Sequence, residues 1–156
     1  MDFEVGPAIG AGVIAGGVMA MLLYMGIGMM PGQMKMNLFY MLGTMMVKDR
    51  TMAYVAGAIQ HAMMSVVFGL VHVALFTAFD LESSLAAWGL LFGLGHWVVS
   101  GIGLGMIPVM HPLMRRGELQ APGAFAMSYP PMTVMGFFML HIVFGVLMGA
   151  LYAAFT

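Results

Sequence analysis

The chain has no cysteine, and only 7% of its 156 residues are charged. The first absence excludes disulfides and thiolate metal sites. The second excludes an ordinary soluble domain, in which about a quarter of residues are charged. With 62% hydrophobic residues, a water-soluble chain of this length would have no means of covering its apolar surface. Some stretches lack charge altogether: no Asp, Glu, Lys or Arg falls in 7–30, 52–79, 85–110 or 132–155. Those stretches therefore lack the acid and base chain of a proton-coupled transporter. They also hold no nucleophile–base set and no carboxylate pair, and their G-x-G strings have no strand–turn–helix context for nucleotide binding. An independent enzyme is not expected. Net charge is −1, with no basic excess for nucleic acid. The opening MDFEVGP has no positive n-region, so the first apolar run is expected to be retained as a span.

What is present are the four apolar runs themselves, each near the roughly 20 residues that cross a bilayer. They are too long and continuous for barrel strands. The expected fold is an all-α, four-transmembrane-helix bundle in a single domain, residues 1–156. All five basic residues, Lys35, Lys48, Arg50, Arg115 and Arg116, fall in the two loops 31–51 and 111–131. Asp2, Glu4, Asp80 and Glu82 lie on the other side. The positive-inside rule puts both loops in the cytoplasm and both termini outside a cell (inner or plasma) membrane.

The runs repeat. Gly12, Gly16, Gly26, Gly28, Met29 and Pro31 match Gly89, Gly93, Gly103, Gly105, Met106 and Pro108 at an offset of 77. His61 and Gly69 match His141 and Gly149 at an offset of 80. The chain reads as one hairpin written twice, 6–79 and 84–156, in parallel repeat about an axis along the membrane normal. Chance similarity between glycine-rich apolar segments is the alternative. Gly12/Gly16, Gly89/Gly93 and Gly145/Gly149 are small-xxx-small pairs for close helix packing, as are Gly6/Gly10 and Gly101/Gly105. In the first long loop Met34, Leu38, Met41, Leu42 and Met45 share one helical face, so a short interfacial helix is expected. The second is broken by Pro112, Pro122, Pro130 and Pro131 and is expected to be irregular. DLESS is a tight turn from which Asp80 to Ser83 would cap the third span.

The strings GVIAGGVMAML, MGIGMMP, GAIQHAMMSVVFG, FGLGHW and LHIVFGVLMGALY are spread over all four apolar runs. On them the sequence resembles a family of small four-helix prokaryotic integral membrane proteins of unknown function. The resemblance implies the topology and carries no activity and no functional residue.

Five histidines are the only titratable groups with a claim to the hydrocarbon. At about 1.5 Å per residue, His61 and His141 lie at one depth, with His96 slightly deeper. His72 lies toward the outer leaflet and His111 at the cytoplasmic interface. Such groups usually face the bundle interior. One expectation is a cofactor at the His61/His141 layer: haem b ligated axially, or copper or zinc with His96 as third ligand. The other is interhelical hydrogen bonding. Methionine is abundant, 22 residues, and Met34-x-Met36 has the soft ligands that select Cu(I); flexible apolar filling is the plainer account.

Three functions of different class follow. The first is a non-catalytic accessory or scaffold subunit of a larger membrane complex, partnered by other subunits or a second copy. The second is a haem- or metal-binding protein using His61, His96 and His141. The third is a small channel or carrier along the pseudo-twofold axis.

Overall fold

The computed structural model describes residues 2–156. It is all helical: α1 Val5–Met29, α2 Leu38–Gly43, α3 Arg50–Ala78, α4 Leu85–Met110, α5 Pro112–Arg115, a 3₁₀ turn Ala124–Ala126 and α6 Pro131–Phe155. Helices α1, α3, α4 and α6 are each long and apolar enough to cross a membrane. The molecule is a four-helix bundle of multi-pass membrane type.

Local chemistry sets the helix ends. Pro7 sits in the first turn of α1 and Pro131 opens α6; there a missing N–H costs no hydrogen bond. Asp49 caps α3 by accepting from Met52 N at 2.8 Å. The turn before α4 departs from expectation. Its cap is Ser84, in the left-handed region at φ 55°, and its side chain makes no capping bond. The repeated strings also diverge here. GIGMMP ends α1 at Met29, whereas α4 continues through Pro108 to Met110.

Glycine sets the helix spacing. In lipid no hydrophobic drive brings helices together, so close backbone approach supplies the contact. A Cβ on Gly12 would run into the Ser65 carbonyl and Gly69, and one on Gly69 would meet Ala8 O at 2.9 Å. The second hairpin repeats this: Gly89 meets Gly145, Gly93 meets His141 and Gly145, and Gly149 meets Leu85. Each of these contacts lies 77 residues further on in one helix and 80 in the other. Gly101 and Gly105 serve differently. They receive the Phe125 ring and Ala124 of the second long loop, not another helix. Phe125 and Ala126 hold left-handed backbone, φ 54° and 62°, to deliver that ring.

The two interfaces between hairpins are unlike. Against α6, α1 presents Ala8, Ala11, Ala15 and Met19, all buried with Phe144, Met148 and Tyr152. The equivalent α4 positions are Leu85, Trp88, Phe92 and His96. Their rings hold α3 away: Phe92 lies against Phe76 and Phe79, and His96 stacks on Phe68. Helices α3 and α4 therefore meet through rings near their connecting turn and splay apart toward the long loops.

The first long loop closes over that end. Helix α2 is shorter than the expected interfacial helix and is pressed on α3, where Gly43 faces Ala53 and Gly57 faces Phe39 backbone-to-backbone. Asn37 caps it, accepting from Tyr40 N at 3.2 Å and from the Tyr24 hydroxyl at 2.9 Å, while its amide donates to Tyr54. Thr133 of α6 ties down the same loop, donating to Gln33 O at 2.6 Å and accepting from Lys35 N at 3.1 Å.

Candidate functional site

The splay of α3 from α4 leaves a cavity of about 520 Å³. Helix α3 lines one wall with Gln60, His61, Met64, Ser65 and Phe68; α4 lines the other with His96, Val99, Ser100, Gly103, Leu104 and Ile107. The floor is Met19 and Leu23 of α1 with Phe137, Leu140, His141 and Phe144 of α6. Met36, Leu38, Met41, Leu42 and Met45 cover it from the loop side. Among the described residues no Asp, Glu, Lys or Arg lines it.

Three of the histidines singled out from sequence, His61, His96 and His141, are on this lining. Each is held by its helix neighbourhood. His61 Nε2 donates to Gly16 O across the α1–α3 seam at 3.1 Å, which the absence of a side chain at Gly16 permits. His141 Nδ1 donates to Phe137 O one turn back at 2.7 Å. A carbonyl accepts only from N–H, so these bonds fix the tautomers and leave His61 Nδ1 and His141 Nε2 as acceptors. His96 stacks on Phe68 with ring centroids 3.7 Å apart and meets His141 and Phe144 edge-on at 4.7 and 5.0 Å. Its Nδ1 is buried without a partner, as is Gln60 Oε1. Ser65 donates to His61 O at 2.8 Å. His72, one layer further out, donates from Nδ1 to Phe68 O at 2.8 Å and has its Nε2 buried and unpartnered.

The three rings share a cavity without forming a ligand set. No group of three or more His, Asp or Glu side chains placed to hold a metal ion occurs among the described residues. His61 is turned to the α1 backbone and has Phe39 as ring neighbour at 5.7 Å, while His141 sits between Phe137 and His96. No ring contact joins His61 to His141 among the described residues, and the ring that meets His141 edge-on is His96. Met34 and Met36 are packing residues, 6% and 3% exposed, in separate clusters. Met34 fills the space over Gly26 and Gly136, and Met36 packs in the cluster of Met41, Leu104 and Met114.

Sequence reasoning placed His111 only at the membrane surface; the structure makes it a clamp. It is fully buried, its Nε2 donates to Met41 O at 2.9 Å and lies 3.2 Å from the Thr44 hydroxyl, and its Nδ1 accepts from Leu113 N at 3.2 Å. It thereby locks both long loops together beneath the cavity. The signal was its position before Pro112, an N-cap site. In the same loop Tyr129 packs beside the Met36 and Leu104 cluster, and burial raises its phenol above the ordinary value. Tyr152, fully buried, holds the chain start: its hydroxyl accepts from Glu4 N at 3.0 Å and donates to Asp2 O at 2.9 Å.

No protein-family model, curated protein or solved structure matches the chain.

Proposed function

We propose that this is a non-catalytic integral membrane protein that holds a small, neutral, lipid-soluble molecule in the cleft between α3 and α4, as a carrier or binding subunit. The observation that carries this is the cavity: apolar for most of its lining, uncharged throughout, with polar groups gathered around His61, His96, His141 and Ser100. Its volume falls within the roughly 300–1,000 Å³ of small-molecule sites. A spanning helix about 10 Å across and 30 Å long occupies roughly 2,400 Å³, so a partner helix does not fit inside. A pore along the bundle axis is disfavoured by Phe76, Phe144, Met148 and Tyr152, all buried there. In this reading loops 31–51 and 111–131 are cytoplasmic, both termini lie outside the cell membrane, and the cleft belongs to the inner leaflet.

The test is binding of dioctanoylglycerol and decylubiquinone to the protein in nanodiscs. A Cβ on Gly103 meets nothing within 4 Å although the residue lines the cleft, so Gly103→Phe fills the cavity without disturbing a seam. Saturable binding abolished by Gly103→Phe is expected; binding no greater than to empty nanodiscs overturns the proposal.

A second reading, an accessory subunit of a larger complex, rests on glycines the bundle leaves uncovered. Gly6, Gly17, Gly28 and Gly95 have no neighbour at the Cβ position. Co-purification from native membranes with one partner at fixed stoichiometry would favour it; a monomer without a partner would count against it.

A further inference from the structure

We infer that the cleft selects a hydroxylated, flat-headed lipid of the quinol class over its oxidised quinone. The inference rests on the cleft-binding reading above and specifies its ligand.

Four observations combine. First, with no charged residue on the lining, an ionic head would lose its hydration without a counter-charge, which is strongly unfavourable. The head is therefore neutral. Second, the polar end holds fixed acceptors beside two donors, the Ser100 hydroxyl and the one ring N–H of His96. His61 and His141 have each given their one N–H to a backbone carbonyl, and a neutral imidazole then offers only a lone pair. The Ser65 proton is likewise committed, to His61 O. Lone pairs are satisfied by a ligand that donates. Each quinol hydroxyl both donates and accepts, so it serves these lone pairs and the Ser100 and His96 donors alike; a quinone only accepts and leaves the lone pairs of His61 and His141 unmet. Third, the polar end is walled by rings. Phe68 and His96 stack, and Phe144 and His141 stand edge-on to His96, an aromatic wall that suits a flat ring better than a branched glycerol head. Fourth, much of the remaining lining, including Met19, Leu23, Met64, Val99, Leu104 and Ile107, is aliphatic and suits an apolar tail.

His96 adds a device of its own. Its counterpart in the first hairpin, 77 residues earlier, is the apolar Met19 on the floor of the same cavity. Its Nδ1 is buried and has no hydrogen-bond partner, which is unfavourable for a polar atom.

The experiment compares decylubiquinol with decylubiquinone, under anaerobic conditions, on the full chain in nanodiscs, with dioctanoylglycerol as a third probe. Quinol is expected to bind at least about tenfold more tightly than quinone, equivalent to about 1.4 kcal/mol. His141→Phe removes an acceptor while keeping a ring against His96 and is expected to bring that ratio to about one by weakening quinol binding alone. Retained quinone binding in the variant shows that the fold persists. Equal affinity for quinol and quinone in the unmodified protein, or tighter quinone binding, overturns the inference while leaving the cleft-binding reading intact. Preference for dioctanoylglycerol over both does the same. Binding of none of the three overturns both. The comparison on the unmodified chain decides the matter even if His141→Phe does not fold.

Discussion

At the residue scale, the polar side chains that matter most for stability sit at the ends of the spans. Tyr152 satisfies two backbone groups of the chain start, Glu4 N–H and Asp2 C=O. Tyr152→Phe removes both bonds, each worth about 0.5–1.5 kcal/mol. A loss of about 1–3 kcal/mol is expected, with faster amide exchange confined to the first turns of α1; thermal unfolding in detergent and hydrogen exchange would check it. His111 joins both long loops through donor and acceptor atoms on one ring. His111→Ala leaves the Leu113 and Met114 amides and the Met41 carbonyl without it and is expected to cost at least about 2 kcal/mol. His111→Asn, an effective N-cap, is expected to recover part of that loss by restoring the α5 cap without reaching Met41. Equal stability of the two variants would mean that the loop-to-loop bond carries the effect alone.

At the element scale, glycines with the same sequence signature have opposite roles. Gly145 meets Gly89 and Gly93 at backbone distance. Gly145→Ala forces α4 and α6 apart and is expected to destabilise by about 1–3 kcal/mol. Gly17 faces open space in the middle of α1. Gly17→Ala there is expected to be neutral or stabilising by up to about 1 kcal/mol, through helix propensity. Denaturation of both variants in one detergent separates the cases, and a similar loss at Gly17 would reveal a partner on that face. The histidines also divide by element. His61 and His141 could be assigned to an interior face from the spacing with Gly69 and Gly149. That each satisfies a nearby carbonyl, Gly16 O or Phe137 O, depends on helix rotation, and about 100° is one residue.

At the scale of the whole molecule, the lack of cysteine makes orientation directly measurable. Ser83 and Ser128 are exposed in turns at opposite ends of the bundle. In intact cells a membrane-impermeant thiol reagent is expected to label Ser83→Cys and to spare Ser128→Cys until the membrane is opened; the reverse pattern inverts the topology. The asymmetry that creates the cleft is also a property of the whole. Alanines at 8, 11 and 15 let α1 close on α6, whereas the Phe92 and His96 rings at positions equivalent to Ala15 and Met19 stand between α4 and α3. Those residues were visible in the sequence. Their consequence was not, because it requires knowing that both sets face the opposite hairpin.

The sequence by itself determined the four spans to within about two residues, the all-helical class and the glycine seams, since burial in lipid leaves uncharged apolar length and small side chains as the governing terms. Only the tertiary structure decided that α2 packs on α3, that the Phe125 ring occupies the Gly101 groove, and that His61, His96 and His141 line one cavity without forming a metal site. These depend on helix rotation, on loop backbone that enters left-handed φ, and on which of two pseudo-equivalent interfaces carries the rings. Hydrophobic content does not encode those choices, because lipid and protein interior are almost equally apolar.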